Sequence, residues 1–209
     1  SGTFSLAAAV VVCSGGVLHQ AWMLDLVGSL VDKSLIVAER ADGRTRRLRL
    51  LETIGAYAGE KLDASGTSGE WHDRHLAWYM SFAEELEPKV SWGIAGVQTL
   101  ESIDRELDNL RGALRWAIEM GRAEEGHRLA SAMAWYWLRR GHLHESRRWY
   151  DEILAMPGEV TPEAKVGALH GAGPIFVHQG DHQRSVGVLR EAVALGCVPQ
   201  CSQTAPWSL

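Results

Sequence analysis

Basic charge is in short supply in this 209-residue chain: 21 Lys and Arg stand against 26 Asp and Glu, for a net charge of −5 with histidines neutral. That balance gives no general attraction to phosphate backbones, so nucleic-acid binding would need a local basic patch. Cysteine is scarcer still. Cys13, Cys197 and Cys201 are an odd, sparse set, which excludes a disulfide framework and fits a reducing compartment. Long apolar runs are missing too: the longest near the start, Leu6 to Cys13, is too short to span a bilayer and has no basic leader. The chain starts without Met inside an apolar pattern, so it reads as an internal fragment of a cytoplasmic protein with no membrane partner.

Signatures of chemistry are absent as well. No Gly-x-x-x-x-Gly-Lys-Ser/Thr loop offers the backbone cradle and lysine that phosphates require, and no His-Glu-x-x-His occurs. Of the histidine pairs, only His178 and His182 have the spacing of one helical face, and Gly180-Asp181 breaks the helix between them. Cys197 and Cys201 lack a partner pair at zinc-finger spacing. Gly66-Thr67-Ser68-Gly69 follows no strand, so it is no nucleophile elbow. Cys13 falls in an apolar run, where a thiol is normally inert. The carboxylates Glu84, Glu85, Glu87, Glu124 and Glu125 read as solvated charge at helix ends and faces. The reading is a non-enzyme with no cofactor and no metal.

What is present is the balance of a globular protein, 46% hydrophobic and 22% charged. Phe4 to Cys13 is an Ala-rich run fit for a short helix. Trp22, Met23, Leu26, Leu30 and Val31 recur at helical spacing. Leu35 to Glu39 is β-prone, Ala41-Asp42-Gly43 is a turn signal, and Arg46 to Leu50 alternates basic and apolar residues. A helix over Glu52 to Leu62 follows. Helix, helix, hairpin, helix is the order of a small winged-helix domain. Ala64 to Gly69 reads as a linker, and no strand is expected beyond it. Leu76, Tyr79, Ala83 and Leu86 mark one helical face that Pro88 should end. Leu107, Leu110, Leu114 and Ala117 mark another, stopped by Gly121.

The later part repeats. Arg140-Gly141-His142 and Gln179-Gly180-Asp181 each sit between two helical runs, 39 residues apart, and the offset aligns Ser146 with Ser185 and Glu152 with Glu191. A helix–Gly turn–helix unit of this size is the mark of tetratricopeptide-like arrays, whose standard length is about 34 residues. Each hairpin needs a neighbour to bury its apolar face. Pro174 falls in an expected helix interior and should kink or split it. The expected organisation is a mainly α fold: a winged-helix-like domain at 1–63, a helical connecting bundle at 64–120, tetratricopeptide-like repeats at 121–196 and an irregular tail at 197–209.

Ser29 to Ile36, then Leu48 to Ile54 with Tyr57-Ala58, resemble the winged-helix segment of actinobacterial STAND-type regulators. Those proteins carry an NB-ARC-like nucleotide-binding module and often a LuxR-type DNA-binding or adenylate-cyclase domain. The resemblance continues through Arg74-His75, Glu84 to Pro88, Glu106 to Arg111 and Ala113 to Ala117, and takes in the repeats, covering roughly residues 4 to 196. It implies a regulatory module that receives a protein, peptide or small-molecule effector on its helical repeats. That signal would be relayed to the nucleotide-binding module of the parent protein.

Two candidate sites follow. Arg128, Ser131, Trp135 and Arg139 form a mostly polar stripe beside two core stripes, Leu129/Met133/Trp137 and Ala130/Ala134/Leu138. First helices of such hairpins line a concave groove, so Trp135 flanked by Arg128 and Arg139 is the candidate ligand or partner grip; packing of Trp135 on Leu114 or Trp116 is the competing reading. The alternative function is DNA binding through the hairpin arginines Arg44, Arg46, Arg47 and Arg49, which would supply phosphate contacts. Against it, winged helices of this kind generally act as internal hinges.

Overall fold

The computed structural model describes residues 2–14, 19–41, 45–91 and 97–196. Its elements run β1 (Phe4–Ser5), α1 (Leu6–Cys13), α2 (Gln20–Asp32), β2 (Ile36–Ala41), β3 (Thr45–Leu50), α3 (Glu52–Ala64), α4 (Ser68–Ser91), α5 (Val97–Glu119), α6 (Ala123–Arg140), α7 (Leu143–Ile153), α8 (Pro162–His178) and α9 (His182–Gly196). The fold is mainly α with one small sheet, and among the described residues no strand follows Leu50. No helix among them is long and apolar enough to cross a membrane. Two compact units emerge: residues 1–79 with 102–113, and residues 80–101 with 114–209. Helices α4 and α5 contribute residues to both. The hairpin turn at residues 42–44 and the tail at 197–209, with Cys197 and Cys201, lie outside the described residues.

In the first unit the sheet order is β1-β3-β2, antiparallel throughout, with Phe4 opposite Leu48 and Ile36 opposite Leu50. The Ser5 hydroxyl accepts from the Ala8 amide at 3.1 Å and so caps α1. Helix α2 ends in a left-handed residue, Ser34 at φ 57°, with the Leu35 amide reaching back to the Leu30 carbonyl at 2.9 Å. Ile36, Leu48, Met23, Ala8, Leu76, Tyr79 and Leu110 form the core.

The deepest polar feature of this unit is Arg47, 5% exposed on β3. Its guanidinium forms an ion pair with Glu106 of α5, and also donates to the Thr3 hydroxyl at 3.1 Å, the Thr3 carbonyl at 2.8 Å and the Arg105 carbonyl at 2.7 Å. The second oxygen of Glu106 accepts from Tyr79 at 2.9 Å and from Asn109 at 2.7 Å. Burial raises the Tyr79 phenol well above its usual range, and the neighbouring Glu106 charge and hydrogen bond add to the shift.

Local chemistry differs from expectation at three points. The stretch from Ala64 to Gly69 is not a linker: α3 runs through Ala64 and α4 starts at Ser68, with Ser65 donating to the Leu62 carbonyl at 2.6 Å and Ser68 to Asp63 at 2.7 Å. Pro88 does not end α4, which continues to Ser91; so near the end, the ring removes only one helical bond. Pro174 does not split α8, which remains one helix from Pro162 to His178. Packing on α6, α7 and α9 outweighs the local penalty, about 3 kcal/mol for an interior proline.

In the second unit the 39-residue offset is realised bond for bond. The His142 amide donates to the Trp137 carbonyl and the Asp181 amide to the Phe176 carbonyl, both at 2.9 Å, around the left-handed Gly141 and Gly180. Gly121 makes the same turn before α6, with Arg122 bonded to Ala117 at 2.7 Å. Ser146 and Ser185 are both buried. The hairpins α6–α7 and α8–α9 stack, α8 lying on α6 and α7. Trp149 and Tyr150 are buried; Tyr150 donates to the Ala130 carbonyl at 2.9 Å and meets Trp137 edge-on.

The stack closes because α8 lacks side chains where its neighbours approach. A Cβ on Gly171 would collide with the Tyr150 hydroxyl and lie 2.7 Å from the Ala134 Cβ; one on Gly173 would lie 2.7 Å from Leu189. Gly171→Ala should therefore destabilise the chain by about 1–3 kcal/mol in urea unfolding through overpacking. Gly187→Ala, which meets nothing within 4 Å on α9, should stabilise by about 0.5–1 kcal/mol because it only removes helix-interior glycine entropy. Glu106→Gln, which leaves the Arg47 charge buried without its partner, should cost about 3–5 kcal/mol. Glu39→Gln breaks the half-exposed pair with Arg49 and should cost no more than about 1 kcal/mol.

Candidate binding cleft and the arginine hairpin

Helix α6 presents its two apolar stripes to the core: Leu129, Met133 and Trp137, with Ala130 and Ala134, are buried. Along the polar stripe, Arg128, Ser131 and Trp135 are half-buried and Arg139 is exposed. Ser131 abuts α8, where a Cβ on Gly167 would lie 3.2 Å from its Cβ. The stripe opens at its N-terminal end into a cleft of about 340 Å³. Arg128, Ser131 and Ala132 form one wall, Glu84 and Glu87 of α4 another, and Glu124, Thr161 and Glu163 complete the lining with Ala164.

The structure thus brings Arg128 to a cleft but not the whole expected grip. Trp135 and Arg139 are not among the lining residues; Trp135 stands seven residues further along α6, a rise of about 10 Å. The Arg128 guanidinium is occupied by a two-point pair with Glu84, Nε to one oxygen at 2.8 Å and Nη2 to the other at 2.9 Å. Such planar pairing fixes both side chains. Glu124 is held by Thr161, whose amide and hydroxyl donate at 2.8 and 3.0 Å. The same hydroxyl accepts from the Ala164 amide and caps α8.

Four carboxylates and one guanidinium leave the cleft negative. It suits a cationic group, an amine or a basic peptide side chain, better than an anion. The sequence reading took Glu84, Glu87 and Glu124 as solvated charge; the structure gathers all three at one opening. The spacing of three from Glu84 to Glu87 places them on one helix face. No local signal could join them to Glu124, which lies in α6.

The hairpin arginines are arranged for packing as much as for solvent. Arg47 is buried on Glu106. Arg49 pairs with Glu39 across the hairpin at 2.8 Å. Arg46 lies on β3 opposite Arg40; Arg44 lies outside the described residues. Helix α3, which follows the hairpin, carries Glu52, Glu60 and Asp63 against Lys61, an unfavourable charge for a duplex. Among the described residues no three His, Cys, Asp or Glu side chains converge on a point where a metal could sit. His127 is buried, its Nδ1 donates to the Ala123 carbonyl 2.8 Å away, and burial lowers its imidazole below the usual range.

No family model and no solved structure matches the chain. Over 153 residues, 73% of its length, it is 40% identical to a protein of Mycobacterium bovis and to one in each of two strains of Mycobacterium tuberculosis, all described as "Putative HTH-type transcriptional regulator". The chain spans 17% of the length of these relatives, so its likeness is to one segment of much longer regulators of transcription.

Proposed function

We propose that the chain is a regulatory binding module within a transcriptional regulator of the STAND kind, without chemistry of its own. Its stacked hairpins, read as tetratricopeptide-like, receive a peptide, protein or small-molecule effector, and the winged-helix-like unit docks on the nucleotide-binding module of the parent protein. The observation that carries this reading is the open cleft at the base of α6, built from a first hairpin helix and bordered by charge already held in place by Arg128 and Thr161. Preorganised polar walls lower the ordering entropy lost on binding.

Docking of the first unit is supported by its uncovered apolar surface. Trp22 is 59% exposed, Leu24 58% and Tyr57 60%, and α3 buries no residue at all. Large exposed apolar side chains are the material of protein interfaces. The inward turn of Arg47 and the acidic α3 count against the DNA-binding alternative. The relatives' description as transcriptional regulators supports the link to transcription.

Fluorescence of the nine tryptophans tests the reading when titrated with a lysine-rich peptide, an acidic peptide and a short DNA duplex. The lysine-rich peptide should give a saturable change that weakens about tenfold in Glu87→Lys, through charge reversal at the cleft. A response to duplex alone that falls steeply with salt would replace this reading with the hairpin one.

A further inference from the structure

The Ala7-Ala8-Ala9 run that makes α1 a good helix also leaves its inner face without bulk. Beneath it the first unit holds a pocket of about 230 Å³. Phe4, Ala9, Val12 and Leu50 supply apolar wall; Cys13 and Tyr79 join the lining, with the Tyr79 hydroxyl donating to Glu106, and two further polar groups reach the pocket, His75 of α4 and Asn109 of α5. A dry cavity of about 150 Å³ is already large enough to take a benzene ring.

Both polar groups have capacity to spare. The Asn109 amide nitrogen donates to the Thr3 carbonyl at 3.0 Å and to Glu106 at 2.7 Å. Two acceptors on one side fix the amide's orientation and leave its Oδ1 without a partner among the described residues. The His75 ring leans on Tyr79, centroids 4.6 Å apart, and makes no hydrogen bond to a described residue. Burial, with His72 acting the same way and Glu106 opposing, holds its imidazole down at about 4. At neutral pH the ring therefore offers one donor and one acceptor and carries no charge.

We infer that this pocket binds a small uncharged aromatic alcohol, a phenol or a close relative, with its ring on the apolar wall and its hydroxyl bonded to His75 or Asn109. A hydroxyl is both donor and acceptor, so it satisfies either group. A carboxylate would have to be desolvated beside cations already committed, Arg47 to Glu106 and Arg74, whose charge reaches Cys13, to Glu70 and the Ser14 carbonyl. The site is separate from the cleft on α6, and its occupancy does not depend on the function proposed for the hairpins.

The test uses p-cresol, with toluene and p-methylbenzoate as the arms lacking the hydroxyl and lacking neutrality, followed by ligand-observed NMR on the full chain. Binding of p-cresol with Kd below about 1 mM is expected for a ligand of this size, at least tenfold tighter than p-methylbenzoate and several-fold tighter than toluene. Ala9→Leu, which fills the pocket, should weaken p-cresol at least tenfold. Cys13 lines the same pocket and is half-buried, so p-cresol should slow its alkylation by iodoacetamide in the unmodified chain at least threefold, followed by peptide mass mapping. That second readout needs no variant to fold. Absence of p-cresol binding at 10 mM, or binding that leaves Cys13 alkylation unchanged, overturns the inference, as does a preference for the carboxylate.

Discussion

A buried guanidinium–carboxylate pair is the constraint around which the first unit is arranged. An arginine buried on a small sheet cannot remain without a partner, because an unpaired buried charge is among the most destabilising defects a core can hold. Arg47 therefore dictates its surroundings. The N-terminal strand comes alongside β3 and brings the Thr3 hydroxyl and carbonyl, and α5 presents Glu106 and the Arg105 carbonyl. The remaining oxygen of Glu106 is taken by Tyr79 and Asn109. With nearly every donor and acceptor matched, β1, β3, α4 and α5 have one mutual register. Two functional consequences follow: the hairpin gives up one of its arginines as a phosphate contact, and Asn109 is turned so that its carbonyl oxygen is left for something else.

In the second unit the governing constraint is distance rather than charge. Helix α8 approaches α6 and α9 closely because Gly167, Gly171 and Gly173 face them, and the left-handed glycines at 121, 141 and 180 reverse the chain with the same pair of backbone bonds each time. The junction between hairpins is then pinned by side chains. Phe176 lies between the guanidinium groups of Arg184, at 4.4 Å, and Arg147, at 5.4 Å. Arg147 pairs in turn with Asp181 at 2.6 Å, and Arg184 with Asp151. The Arg147 hydrogen bond holds the Asp181 carboxyl below the usual carboxylate range. These pairs are partly exposed, so they select the stacking angle more than they add stability.

The legible parts of the sequence were those whose cause is local. Helical spacing in Trp22 to Val31, the β-prone run before Asp42-Gly43 and the glycine turns at Gly141 and Gly180 each carry their structure within a dozen residues. What could not be read depends on partners far along the chain. Alternation put Arg47 with Arg49 on the face away from Leu48 and Leu50, which a hairpin alone would leave in water; the element that covers it carries Glu106, 59 positions later. Pro174 likewise obeys its neighbours rather than its own preference, and the Ser- and Gly-rich stretch at 65–67 is a tight corner because Ser65 and Ser68 bond to the end of α3. The cleft suffered from the same limit. Glu84 meets Arg128 across 44 positions and Glu124 meets Thr161 across 37, and no periodicity connects them.

The pocket and the apolar surface of the first unit belong to one folding unit, and that has a thermodynamic consequence for regulation. Any ligand held between α1, β3, α4 and α5 stabilises the folded unit against unfolding in proportion to its occupancy. It changes the affinity of the α2 and α3 surface for a docking partner only to the extent that it binds the docked and undocked states differently. Helix α1 is the element through which such a difference would act. It is eight residues long, packs on α2, and supplies Ala9, Val12 and Cys13 to the pocket. A ring beneath this short alanine-rich helix would bear on α2 through α1 only if it favoured one of those states. The Arg47 network ties β1, β3, α4 and α5, and α1 is joined to that frame at both ends, by the Ser5 cap and by the Arg74 bond to the Ser14 carbonyl, so a ligand beneath α1 works against a helix that is pinned rather than loose.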